Sequence, residues 1–541
     1  MESGKQSKSL LWRVPKAPLF HPLSRRFHLI LLLSTGFCCT TFMRMQIALT
    51  MTCMINSTAV SLEEEALRLI GHDLNISTSF LEPDLILDEL GLANVSIVTG
   101  AGGGCTPEKA DGKHVIVDYG GTLTWTHNQQ NLIFGGTFTG ALFVCLPGML
   151  LVQRGSARLV LLAAMMTYVA SSLVTPYLAL NVGYIAVFIA RVVMGFGEGL
   201  VIPSINSIIA LWFPMEERST ALALFTTGNQ LAGAAGNPFA AAMCASSWGW
   251  TSIFYVCGTV GSLWSLIWLL TSSNQPNDCK YMTKKERKYL RVKMPAQNKS
   301  SRKQSVPYMK VLTSPAFLAQ LQCHFVINAF MTLLQLYLPS YLKDVLKLGV
   351  MTNGIYIAIP NIFNFVFKVI WGLFMDKMKE KKVLTPTAAV KLSQVVANLG
   401  SAVCLVIVAF FVDCSNKEVG LALFCTTFLL MGTFTSGFYT SLLSLAPRYT
   451  ATLSSISQFV AMLGRLSTPI TVGLVKQTGS IEEWRQLFCV AAAVSVLSGL
   501  VFAMFGSGEI QDWGRDDNSK PAGTEEIVEL VKKHRTESIC D

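Results

Sequence analysis

Charge is what this sequence has least of. Of its 541 residues only 14% are Asp, Glu, Lys or Arg, whereas 51% are hydrophobic, and the mean hydropathy is positive. Soluble domains carry roughly 25% charged residues, so the deficit excludes an ordinary water-soluble domain and points to a membrane protein. Metal-ligand spacing is also lacking. The 14 cysteines form no CxxC and no Cys/His cluster, and most lie in apolar stretches where a thiol behaves as a small hydrophobe. No nucleotide-binding loop is found, which disfavours ATP-driven pumping. Nothing resembles a cleaved signal peptide, because the first apolar segment is too long and no small-residue cleavage site follows it. Acids within the apolar stretches are scarcest of all, and Glu198 is the only carboxylate well inside one.

What is present is a series of twelve apolar segments of spanning length. They lie at about 28–54, 131–153, 157–180, 183–213, 219–245, 250–271, 314–342, 351–375, 387–411, 419–446, 451–475 and 486–506. Charge in the intervening stretches predicts their sides. Residues 1–27 hold Lys5, Lys8, Arg13, Lys16, Arg25 and Arg26 against Glu2 alone, so the positive-inside rule places the amino terminus in the cytoplasm. The loop 59–130 is acidic and falls on the opposite face, luminal or extracellular. Sequons at Asn56, Asn75 and Asn94 lie there, Asn56 close to the membrane, so N-glycosylation is expected. Cys105 in this loop has Cys414 as a possible disulfide partner on the same side. The linker 272–313 is rich in Lys and Arg and returns to the cytoplasm. The net charge of +10 is thus assigned to cytoplasmic loops and not to nucleic acid. The predicted organisation is an all-α membrane protein: a tail 1–27, a six-helix bundle 28–271, the linker, a second six-helix bundle 314–506, and a cytoplasmic tail 507–541. Two halves joined by a basic linker describe a transporter with its site between them.

The fourth segment carries Arg191-Val-Val-Met-Gly-Phe-Gly-Glu198-Gly-Leu-Val-Ile-Pro203. A charge at the bilayer centre costs roughly 3 kcal/mol or more, so such residues are rarely idle. Seven residues is two helical turns, which puts Arg191 and Glu198 on one face. Gly195 and Gly199 form a small-xxx-small pair that admits a close neighbour, and Pro203 is expected to bend the helix. Two readings stand open: a structural ion pair, or a site that binds an anion at Arg191 and a proton at Glu198.

Each half also has a short turn after its second helix, Gly148-Met-Leu-Leu-Val-Gln-Arg154-Gly-Ser-Ala-Arg158 and Gly372-Leu-Phe-Met-Asp376-Lys377-Met-Lys379. The recurrence indicates internal duplication and resembles the cytoplasmic signature of the major facilitator superfamily, although the first copy lacks the acid. The resemblance narrows at Arg191-x-x-x-Gly195-x-Gly197-Glu198-Gly199, followed by Trp212-x-Pro214-x-Glu216-Glu217-Arg218-Ser219. Further matches are Gly228-Asn-Gln230-Leu231, His324-Phe325-x-x-Asn328, Leu338-Pro339-Ser-Tyr341-Leu-Lys343-Asp344, Ala446-Pro447-Arg448-Tyr449 and Gly508-Glu509-x-Gln511-x-Trp513. Over residues 28–513 the chain resembles the organic-anion transporter family, which includes sialin, the vesicular glutamate transporters and the type I sodium–phosphate cotransporters. Gln230-Leu231 and the His324–Asn328 pair look more like sialin. Phe134 and Asn361 stand where glutamate transporters have histidines, and Ser441-Leu442-Leu443-Ser444 replaces the family's Asn-His-Leu-Asp.

The resemblance implies the major facilitator fold and secondary active transport of an organic anion by alternating access, with H⁺ as the coupling ion and Na⁺ as the alternative. No cofactor, no enzymatic activity and no nucleic-acid partner are expected, and the chain is expected to act as a monomer. The plasma membrane and a lysosomal or vesicular membrane both fit. A sodium-coupled phosphate or urate carrier is the nearest alternative, and an anion channel or a transport-dead receptor stands in another class. Arg44, deep in the first segment, matches the family's helix-one arginine, and its planar fork suits a carboxylate or phosphate. Arg44, Arg191 and Arg465 are the candidate substrate ligands, Arg465 standing where the family has a small residue. Glu198 is the candidate proton-coupling group. His324 is a second, with a structural role as hydrogen-bond partner of Asn328 one turn away as the preferred reading. Gly148, Arg154, Gly372, Asp376 and Lys377 are candidates for conformational gating. Lys368 is a further cation within a span. If it and Arg465 face the cavity, the substrate carries more than one negative charge, and the alternative is that Lys368 snorkels while Arg465 bonds backbone carbonyls.

Overall fold

The computed structural model of the chain describes residues 19–60, 95–99, 114–279, 282–293, 307–446 and 449–514. In lipid, each backbone N–H and C=O must be satisfied within its own segment, and the apolar runs answer with helices. The first half comprises α1 (Arg25–Met54), α2 (His127–Arg154), α3 (Ala157–Asn181), α4 (Tyr184–Trp212), α5 (Met215–Ala245) and α6 (Thr251–Thr271). The second comprises α7 (Pro315–Asp344), α8 (Val350–Glu380), α9 (Pro386–Phe411), α10 (Lys417–Leu445), α11 (Thr450–Val475) and α12 (Ile481–Phe505). π-helical turns at Leu333–Tyr337 and Val396–Gly400 run through α7 and α9, and a 3₁₀ turn at Gly432–Thr435 interrupts α10. Among the described residues eleven helices are long and apolar enough to cross a membrane. The remaining one, α5, has 31 residues but carries Glu216, Glu217 and Arg218 in its first turn and many small or amide side chains after it. α4 continues through Pro203 to Trp212.

Sequence explains the helix ends as well as their lengths. α2 begins at His127, earlier than hydropathy suggests, because Thr126 and Gln129 form a capping box. Ser480 and Glu483 do the same for α12. These devices lie in polar sequence, so an apolar count starts each helix too late.

Packing follows a two-fold pattern. In the first half α2 packs on α4, α1 on α5, and α3 on α4 and α6; in the second α7 packs on α11 and α12, α8 on α10, and α9 on α12. The halves meet through α2 against α11 and α5 against α8, so the second helix of each half touches the fifth of the other. This is the arrangement expected of two repeats related by an axis along the membrane normal. The tightest seam is α2–α4. A Cβ at Gly140 would lie 2.0 Å from the Val192 carbonyl oxygen, and one at Gly195 would lie 2.1 Å from that of Thr137. Only glycine permits such backbone contact.

Odd-numbered helices start at the end that holds the linker, and even-numbered ones start at the opposite end, where the loop 59–130 emerges. At the linker end, the helix Lys284–Lys293 is docked on the first half. Glu286 is buried, bonds the Arg26 Nε at 3.0 Å, and accepts from the Ser24 hydroxyl and the Arg25 amide. Glu217 also pairs with Arg26 and accepts from the Tyr289 hydroxyl at 3.1 Å. The basic side chains Lys284, Lys285, Lys288 and Arg291 face outward. At the loop end, Lys343 of α7 reaches across to the first half, bonding the Thr52 carbonyl at 3.0 Å and the Ser57 hydroxyl at 2.6 Å above the Tyr119 ring. Beside it Asp344 pairs with Lys476 at 2.7 Å. Cys53 of α1 and Cys244 of α5 form a disulfide there. Cys414 is also disulfide-bonded, while Cys105 lies outside the described residues. Within the loop a short parallel pair, β1 (Val95–Thr99) and β2 (His114–Asp118), sets Val95 opposite His114.

Candidate functional site

The midplane is built around Glu198. Its Oε1 accepts from Arg44 Nη1 of α1 at 3.1 Å and from Arg465 Nη1 of α11 at 3.1 Å. Its Oε2 accepts from the Tyr168 hydroxyl of α3. One carboxylate therefore joins both halves of the protein. Charge-assisted contacts of this kind are stronger than neutral ones, and the low dielectric of the interior raises the cost of leaving any member unpaired. Removing one partner of a buried ion pair typically costs about 3–5 kcal/mol.

Arg465 extends the site into the second half. Its Nε donates to Asn328 Oδ1 at 2.9 Å, and the Asn328 amide donates to the His324 carbonyl at 2.8 Å. The His324 ring itself lies 2.6 Å from the Ser457 hydroxyl and against the Phe438 ring. Gln320 donates to the same hydroxyl at 2.8 Å. His324 thus meets Asn328 through its backbone, and its ring is directed to Ser457. Arg465 bonds a carboxylate and an amide, so the alternative of backbone carbonyls is not what it adopts.

Arg191 takes a different place from the one its spacing suggests. It is 1% exposed, and its Nη1 lies 3.4 Å from the Met43 carbonyl and from the Met194 sulfur. Its Nε and Nη2 have no partner among the described residues. The ion pair with Glu198 is not formed, because Arg44 and Arg465 occupy the carboxylate from the neighbouring helices. Lys368 is half-buried in α8 beside Gly432 of α10, with no hydrogen bond or ion pair among the described residues.

The remaining sequence candidates lie at the ends. Gly148 is packed under Leu200, Arg154 is exposed, Gly372 faces the Ser436 hydroxyl, Asp376 pairs with Lys379 at 2.7 Å, and Lys377 is exposed. All belong to the linker end. Asn56 accepts from the Ala59 amide at the loop end, whereas Asn75 and Asn94 lie outside the described residues. Phe134 stacks edge-on against Tyr337, and Asn361 packs on Gly233, so both positions that carry histidine in glutamate transporters serve contacts between the halves. Sequence reasoning missed Tyr168. Its signal was a phenol in an apolar helix, which needs a hydrogen-bond partner once buried.

With this geometry in view, comparisons with known proteins are specific. Residues 70–469 match the family model described as Major Facilitator Superfamily. The chain is 50% identical over 519 residues to the "Uncharacterized transporter slc-17.3" of Caenorhabditis elegans, covering 96% of this chain and 94% of that one. It is 28% identical over 395 residues to sialin of Homo sapiens, covering 73% and 78%. Among solved structures it is similar to a D-xylose-proton symporter, with a TM-score of 0.60, 15% identity, and coverage of 90% of this chain and 100% of that chain.

Proposed function

Because the chain belongs to the major facilitator superfamily, as a member of its organic-anion transporter family, we propose that it moves a small organic anion by alternating access. The chain is a membrane transporter and not an enzyme. The observation that carries the anion reading is the convergence of Arg44 and Arg465, from opposite halves, on Glu198. The Glu198 carboxylate holds the place a substrate anion would take. Proton uptake by Glu198 removes its charge and frees both guanidiniums for the substrate, so proton and anion bind together. Release of the proton returns Glu198 to the arginines and expels the anion. Arg44 and Arg465 serve as anion ligands, Tyr168 positions Glu198, and His324 supports Arg465 through Asn328. Arg191 supplies a fixed positive charge behind α1.

Two features support an orientation with the linker end in the cytoplasm: the outward basic face of Lys284–Lys293, and the Cys53–Cys244 disulfide at the loop end, since disulfides persist in oxidising compartments. The contacts of Lys343 and Tyr337 with the first half hold the loop end together. In this reading they part when the halves rock. Proton coupling suits a membrane that bounds an acidic compartment, lysosomal or vesicular, and the sequon at Asn56 faces that compartment.

The test is uptake by purified protein in liposomes, using sialic acid, glucuronate, glutamate, aspartate, urate and phosphate under separate pH, potential and sodium gradients. Uptake that follows the pH gradient supports the reading. Uptake that needs only sodium or potential removes Glu198 from coupling, and chloride conductance without exchange would make the protein a channel.

A further inference from the structure

We infer that the substrate is a compact dianion, two negative charges held close together, and that Arg465 is the residue that imposes this choice. The inference rests on the carrier reading above and concerns only which anion the site takes.

The first ground is the count of charges. Away from the helix ends, the described spans hold Arg44, Arg191, Lys368 and Arg465 against the single acid Glu198. Arg191 is turned to the α1 backbone and Lys368 has no ion pair with Glu198, which leaves Arg44 and Arg465 at the shared carboxylate. While Glu198 is ionised, this cluster carries one excess positive charge. Once Glu198 is protonated it carries two. Uncompensated charge in a low-dielectric interior is strongly unfavourable. A monoanion entering with a proton leaves one charge unmatched, whereas a dianion leaves none.

The second ground is geometry. Both Nη1 atoms lie 3.1 Å from the same oxygen, so they stand at most twice that distance apart. Two acid groups must therefore be close to engage both. The Arg44 Nε is buried and has no partner among the described residues, a further donor for a second oxygen on the same ligand. Among the described residues Arg465 is the one guanidinium that the second half brings to this carboxylate, so the dianion requirement belongs to Arg465.

The experiment pairs malonate, succinate and glutarate with their own monoamides, which are nearly equal in size and one charge poorer, and adds sulfate as an inorganic dianion. Purified full-length protein is assayed by uptake into liposomes and, separately, by thermal stabilisation in detergent. The expected result is a preference of about tenfold or more for at least one dianion, the ratio attached to one charge-assisted hydrogen bond. Diacid preference assigns an organic ligand, and preference for sulfate alone assigns an inorganic one. Arg465→Gln should erase the ratio and Arg465→Lys should keep most of it. Equal handling of diacids and monoamides by the unmodified protein overturns the inference while leaving an anion carrier standing. The same holds if an intact Arg465→Gln protein keeps the full ratio. Absence of both uptake and stabilisation by every anion removes the carrier reading, and this inference with it.

Discussion

Arg44 and Arg465, one from the first helix and one from the eleventh, donate to the same oxygen of Glu198. The contact makes a single carboxylate the midplane link between two halves that also meet along α2–α11 and α5–α8 and where α7 reaches α1. Replacing Arg44 with Lys keeps the charge but loses the planar fork. Uptake should fall by about 10- to 100-fold, the worth of a charge-assisted bond of roughly 1.5–3 kcal/mol. Tracer uptake equal to wild type would rule out a two-pronged role for Arg44.

Glu198→Gln keeps the shape and hydrogen-bonding capacity of the side chain but cannot take up a proton. The expected protein carries out anion-for-anion exchange yet accumulates nothing under a pH gradient. Exchange and gradient-driven uptake, measured on the same liposomes, separate coupling from folding. Retained pH-driven accumulation would assign the coupling proton elsewhere.

Gly195→Val inserts side-chain atoms where a Cβ alone would lie 2.1 Å from the Thr137 carbonyl. Overpacking of this kind costs about 1–3 kcal/mol or more, and the melting temperature in detergent should drop. Gly135→Ala is the control, since its Cβ would meet nothing closer than 3.7 Å. Similar melting of the two variants would refute the account of the α2–α4 seam.

Glu286→Gln withdraws one acid from the buried Arg26. A loss of several kcal/mol in docking of the linker helix is expected, read as faster tryptic cleavage at Lys284 and Lys285. Lys379→Ala, which removes a surface pair with Asp376, should change stability by less than about 1 kcal/mol. If the two variants digest alike, the linker helix is not held by Glu286.

Much of this fold could be read from hydropathy, because lipid demands that apolar length and helix coincide. All twelve predicted segments have a helix in the structure. The boundaries moved where polar caps act, at Thr126 and Ser480. Individual charges were equally legible: Arg44, Glu198 and Arg465 stand out in any apolar context. Their pairing was not, because helical spacing relates residues on one helix and says nothing of the neighbour. Arg191 and Glu198 share a spacing and no contact, whereas Glu198 and Arg465 share a contact and no proximity in sequence. Motif residues outside the midplane became intelligible only in three dimensions. Lys343 bonds the opposite half and Asp344 holds Lys476, while the Gln511 backbone N–H donates to the Leu445 carbonyl.

The glycine seam between α2 and α4 has a mechanical meaning. With backbone against backbone at Gly140 and Gly195, no layer of side chains remains to deform or slip. α2 is also the helix that bears on α11, where Arg465 resides, and α4 carries Glu198. Displacement of the second half along α2 is therefore delivered to the carboxylate without slack, as through a rigid lever and not a spring.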